Sequence, residues 1–169
     1  NTIKRAINSV LEQAYDDFEL IIVDDGSTDG TEQEVNRYRD GRIRFVRLNE
    51  NHGCSHARNV GISNANGKHI AFLDSDNTWE KDHLERRVEK ISELGHLSLI
   101  FGNMNAVSDE EEAVFPGLNK EMVSNRESLI QLMLSSNRID TNTVVATKAA
   151  IERLGGFDEE MTALEDWDY

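Results

Sequence analysis

Cysteine and proline are nearly missing from this 169-residue chain, each occurring once, as Cys54 and Pro116. A single cysteine excludes an internal disulfide and fits a reducing, cytoplasmic compartment. Basic residues are scarce as well: 18 Lys and Arg stand against 32 Asp and Glu, a net charge of −14. That balance argues against a nucleic-acid partner, whose phosphates are neutralised by Lys and Arg. No apolar run approaches the ~18–20 residues of a membrane-spanning helix, and no signal peptide opens the chain. Any membrane association, whether an anchor or a peripheral contact at the cytosolic face, is therefore expected through regions outside these residues. Repeats and low-complexity tracts are missing too. What is present is an ordinary globular composition, 38% apolar and 30% charged, of a size that fits one domain.

Helix-period and strand-like segments alternate. Ile3, Ala6, Ile7, Val10, Leu11 and Ala14 recur at the spacing of an amphipathic helix. The apolar run 19–23 resembles a buried parallel strand and stops at Asp24-Asp25-Gly26-Ser27. Asp29 and Glu32 stand at capping-box spacing, predicting a helix from about Gly30 to Arg39. Strands are predicted at 42–48, 68–73, 97–101 and 141–146, and helices at 55–65, 80–94 and, from Ser124 with Glu127, to about Leu134. Residues 107–123, with Pro116 and the acidic run Glu110, Glu111 and Glu112, read as irregular. Thr147 is placed to cap a short helix that Gly155 ends. This alternation predicts an α/β sandwich with a mostly parallel sheet.

Two of the apolar strands end in acids: Asp24 and Asp25 after one, Asp74 and Asp76 after the other. Open parallel sheets bind ligands at the carboxyl ends of their strands. Carboxylates gathered there repel one another unless a cation joins them, and hard oxygen donors suit Mg²⁺ or Mn²⁺. A metal–diphosphate site is the expectation. Turn and capping chemistry accounts for Gly26, Ser27 and Asp29, but poorly for two adjacent aspartates closing a buried strand. A calcium loop beginning at Asp25 fails because Asn36 stands at its twelfth position and a strand precedes it. His52, Cys54 and His56 alternate like soft-metal ligands, yet one cysteine argues against that site. Trp79 and Trp167 are expected to pack rather than to form sugar platforms.

Taken together these segments resemble family 2 glycosyltransferases. The stretch from Leu11 to Thr31, with Val23-Asp24-Asp25-Gly26-Ser27, is similar to the family's opening. Asn51-His52-Gly53-Cys54-Ser55-His56-Ala57-Arg58-Asn59 resembles its N-x-G-x-S-x-A-R-N segment. Asp74-Ser75-Asp76 resembles its D-x-D, while Gly155-Gly156-Phe157-Asp158 and Glu165-Asp166-Trp167 resemble its closing elements. The resemblance implies a GT-A fold, a Rossmann-like three-layer αβα domain spanning 1–169. The family's central first strand, and the region beyond Trp167 that binds acceptor, are expected to be missing.

It further implies metal-dependent, inverting transfer from a nucleotide-diphospho-sugar, usually a UDP-sugar, to a sugar or lipid-linked acceptor in surface polysaccharide synthesis. Asp24, Asp25, Arg58, Asp74 and Ser75 would then contact the nucleotide, and Asp76 would ligate Mn²⁺ or Mg²⁺. Asp166 would be the general base and Glu165 an acceptor contact. Asn77 departs from the family, which often has another aspartate there. Two alternatives use similar ingredients. A sugar-nucleotide nucleotidyltransferase needs a glycine-rich triphosphate loop, which is not visible here. A non-catalytic nucleotide-sugar-binding module would bind without turnover.

Overall fold

The computed structural model describes residues 2–107, 112–115 and 139–161. Helix α1 (Thr2–Leu11) buries Ala6, Ile7 and Val10, the face its periodicity predicts. Strand β1 (Leu20–Asp24), helix α2 (Thr31–Val35) and strand β2 (Ile43–Arg47) form a parallel βαβ unit. Its register runs from Leu20 opposite Ile43 to Asp24 opposite Arg47. Successive residues of β1 point to opposite faces. Ile22 shares a core with Ile7 and Val35. Val23, on the other face, lies against Gly61 of helix α3 (Cys54–Asn64). Helices thus cover both faces of β1, which gives three layers.

A separate described sheet comprises strand β3 (His69–Ala71), strand β4 (Leu99–Ile100) and strand β7 (Val145–Thr147). Between them in sequence come helix α4 (His83–Ser92) and a hairpin of β5 (Met104–Val107) and β6 (Glu112–Phe115). β7 lies between β3 and β4 and runs antiparallel to both. An antiparallel member was not anticipated from the alternation of elements. Sequence alternation reports neighbours along the chain, and β7 reaches β3 from far away. Ile62, Ile70, Phe72, Val144, Ala146, Ile151 and Phe157 form a second core around it. Among the described residues β1 pairs only with β2, and β3 only with β7.

Four local expectations need correction. The strand predicted at 141–146 begins only at Val145, because Thr141–Thr143 form a 3₁₀ turn whose Asn142 N–H is capped by the Asp140 side chain. Helix α2 ends at Val35 rather than Arg39, because Tyr38 turns back to hydrogen-bond Asn8 Oδ1 at 2.9 Å. The Asp29 side chain caps Thr31 N–H, two residues on, in place of a full capping box. The stretch read as irregular contains β6, antiparallel to β5, and Glu112 belongs to that strand rather than to a loop. Acidic residues rank low in β propensity, so nothing in the pattern marked it. By contrast, helix α5 (Lys148–Leu154) behaves as expected. Thr147 Oγ1 accepts from Ala150 N–H, and Gly155 ends the helix at φ 92°. The helix predicted from Ser124, and Glu165, Asp166 and Trp167, lie outside the described residues.

Candidate active site

The carboxyl ends of β1 and β3 are joined by the N-terminal half of α3. Asp24 closes β1 with its side chain 1% exposed. One of its oxygens accepts from Ser27 N–H at 2.9 Å, while the other lies 3.8 Å from Arg47 Nε. Asp24 therefore builds the turn from inside. Asp25, the other acid expected at the nucleotide, is only half-buried.

Asp25 is gripped by backbone. Its two oxygens accept from the N–H groups of His52, at 2.9 Å, and Gly53, at 2.7 Å. Asn51 Nδ2 donates to the Asp25 carbonyl at 3.2 Å. The loop that carries these donors is seated by Gly26, whose φ is +74°. A Cβ at Gly26 would stand 2.8 Å from the Glu50 carbonyl carbon and 2.9 Å from Asn51 N. Only glycine fits both the dihedral and the close approach. The adjacent aspartates thus have separate duties: one holds the turn, the other holds the loop leading into α3.

Arg58, one turn further along α3, is 11% exposed at its side chain and donates to Asp74 Oδ1 at 3.2 Å. Its guanidinium also lies 5.3 Å from the centroid of the Phe157 ring. Asp74, just past β3, stays 44% exposed. Its other oxygen accepts from Asn142 Nδ2 at 3.1 Å, and its N–H donates to Asn142 Oδ1 at 2.6 Å. Beyond it, Ser75 and Asp76 are exposed on a turn. Asp76 Oδ1 accepts from Asn77 Nδ2, and the Asp76 carbonyl accepts from Arg5 of α1 at 3.2 Å.

The structure corrects the electrostatic argument made from sequence. The acids do not require a metal to be compatible, because Arg58, Arg47, Asn142 and backbone N–H groups already compensate three of them. Among the described residues no three His, Cys, Asp or Glu side chains come together to hold a metal ion. His52 and His56 sit with ring centroids 4.7 Å apart. His56 Nδ1 bonds Glu159 Oε2 at 2.8 Å, which makes it a tether rather than a metal ligand.

That tether is part of a connection the sequence reading missed. Asn59 Nδ2 donates to the Phe157 carbonyl and to Glu159 Oε1, both at 2.8 Å, and Asn59 Oδ1 accepts from Phe157 N–H at 2.9 Å. Hydrogen bonds from Asn59 and then His56 hold the Glu159 carboxyl below its ordinary range. Gly156, at φ 80°, allows the approach, since a Cβ there would meet Asn59 Oδ1 at 2.6 Å. Asn142 was missed as well. Its signal was the antiparallel register of β3 and β7, which a list of motifs does not contain.

Residues 1–151 match the protein family described as glycosyl transferase family 2. The chain belongs to that family. Its α/β fold is the GT-A fold of the family's solved members. It is 35% identical over 109 residues to an Escherichia coli protein, the UDP-Glc:alpha-D-GlcNAc-diphosphoundecaprenol beta-1,3-glucosyltransferase WfgD. That match covers 64% of this chain and 43% of WfgD. It is 41% identical over 108 residues to the succinoglycan biosynthesis protein ExoO of Rhizobium meliloti, covering 64% of this chain and 31% of ExoO. Among solved structures it resembles residues 1–349 of S. aureus TarS in complex with UDP, with a TM-score of 0.75 and 26% identity. That likeness covers 98% of this chain and 48% of the TarS chain. The chain thus spans less than half the length of each of these proteins.

Proposed function

We propose that this chain is the donor-binding part of an inverting glycosyltransferase that moves a sugar from a UDP-sugar to an acceptor hydroxyl in surface-polysaccharide assembly. The observation that carries the reading is the junction at α3, where Asp25, Arg58 and Asp74 stand at the ends of β1 and β3. WfgD, named for a UDP-Glc donor and a lipid-linked acceptor, and TarS, solved with UDP, support the choice of donor. In this reading Asp25 hydrogen-bonds the uracil or ribose. Each of its oxygens keeps a lone pair after accepting one backbone N–H. Arg58 and Asp74 form a paired edge beside the nucleotide, with Ser75 next to it.

Asp76 fits a hard divalent cation. It is an exposed carboxylate on the turn beyond β3, and Mg²⁺ or Mn²⁺ commonly takes only one or two protein carboxylates beside water and phosphate oxygens. Such an ion supplies Lewis-acid stabilisation of the departing diphosphate. Asp166 acts as general base on the acceptor hydroxyl, with Glu165 contacting the acceptor. The protein works in the cytoplasm at the membrane face. Among the described residues no helix is long and apolar enough to cross a membrane, so this reading leaves any anchor to other parts of the protein.

Calorimetry with UDP, with and without MnCl₂, tests the donor site. Metal-dependent binding that Asp76→Ala abolishes is the expected result, and binding indifferent to Asp76→Ala overturns the metal assignment. Asp166→Asn should keep donor affinity while transfer falls by about 10²–10⁴-fold, the usual worth of a positioned base. Transfer surviving within a few-fold places the base elsewhere. UDP binding with no transfer by the wild type would leave a binding module.

A further inference from the structure

We infer that Asn142 is the positioning residue that sets the orientation of Asp74, and that the 139–144 segment thereby reaches into the donor site without touching the donor. This rests on the donor-site reading above. The β3–β7 register pairs Ala71 with Val145. Continued three residues past the ladder, the same register sets Asp74 opposite Asn142. The side chain of Asn142 then closes both halves of the gap. Its Oδ1 accepts from Asp74 N–H at 2.6 Å, and its Nδ2 donates to Asp74 Oδ2 at 3.1 Å. With Arg58 on Oδ1, both carboxylate oxygens of Asp74 are engaged and its rotamer is fixed.

Asn142 is itself held from several sides. Its N–H donates to Asp140 Oδ1 at 2.7 Å, opening the 3₁₀ turn Thr141–Thr143. Its carbonyl accepts from Trp79 Nε1 at 2.8 Å, and the next carbonyl, of Thr143, accepts from Arg87 Nε at 3.0 Å. Trp79 stacks on buried His83, with centroids 4.3 Å apart and planes at 13°. The start of α4 and the approach to β7 are thus one rigid support, and Asn142 is the point where it meets the acid at the end of β3. Outer partners that orient metal-ligating side chains typically change metal affinity by about 10–100-fold when removed, and the same order is expected for a partner that orients a nucleotide-binding acid.

Two variants of the full chain separate positioning from mere support, with UDP in MgCl₂ as the probe and thermal unfolding beside it. Asn142→Asp keeps the acceptor for Asp74 N–H but sets a second carboxylate against Asp74 Oδ2, and like charges at that distance turn Asp74 away. Asn142→Ala removes both contacts without repulsion. We expect UDP affinity to fall about 10-fold in Asn142→Ala and about 100-fold in Asn142→Asp, while Asn142→Asp unfolds at the higher temperature of the two. A purely structural role ranks them alike in both measurements, alanine being worse, and that result overturns the inference. A wild-type chain with no UDP affinity overturns the donor-site reading instead. Hydrogen exchange at Asp74 N–H then decides the positioning claim: Asn142→Ala must accelerate it about 5-fold or more, the worth of one hydrogen bond of about 1 kcal/mol, and an unchanged rate ends the claim.

Discussion

In the β1–β2 unit the acid past the strand end, Asp25, is held by backbone N–H groups 27 and 28 residues downstream. In the β3–β7–β4 sheet Asp74 is held by side chains, Arg58 at 16 residues away and Asn142 at 68. Backbone donors survive substitution of the residues that carry them, whereas side-chain donors do not. The first half should therefore tolerate loop changes and fail only where backbone geometry is violated. The second half should be sensitive to single polar substitutions far from the site in sequence.

The largest effect is expected where the first half has no slack. Gly26→Ala forces a Cβ into the Glu50–Asn51 backbone at positive φ and should cost about 3–4 kcal/mol in denaturant unfolding, the sum of left-handed strain and overpacking. A cost under about 1 kcal/mol would mean that the loop yields, and the contrast between halves would fail.

Next comes acid. Burial, and then the neighbouring Arg87, push His83 down to about 3 from 6.5. Between those values the unfolded chain takes up a proton that the folded one refuses, so stability falls as pH falls, by up to about 1.4 kcal/mol per pH unit. His83→Phe should flatten the profile between pH 6.5 and 5 while Asn142 keeps its Trp79 bond. A wild-type profile already flat there would place His83 in contact with water.

Across the junction, Asn59→Ala removes three hydrogen bonds to the Phe157–Glu159 segment and should cost about 1–2 kcal/mol, read by thermal unfolding. Least of all, His52→Ala leaves its N–H on Asp25 and should change stability by less than about 0.5 kcal/mol. A larger loss would show that the first half too depends on side chains.

The same contrast explains what could be read from residues alone. Asp24, Asp25 and Gly26 announced a strand end because strand, turn and cap are contiguous, and local steric rules suffice. The separate duties of the two aspartates were not legible, since both are acids after an apolar run and only burial tells them apart. Arg58 was legible through its segment, whereas Asn59 beside it was overlooked, because its partner is nearly a hundred residues away. Asn142 sat inside a run taken for strand, and its meaning arises only when β7 turns antiparallel and meets the end of β3. The β5–β6 hairpin escaped for want of alternation, its strands being short and partly acidic.

The Asn59–Phe157 clamp has a consequence for whatever follows it. Phe157 is buried, wedged at right angles to Phe72 and fastened through its own N–H and carbonyl to α3. Chain leaving this point therefore starts from a surveyed origin beside Arg58.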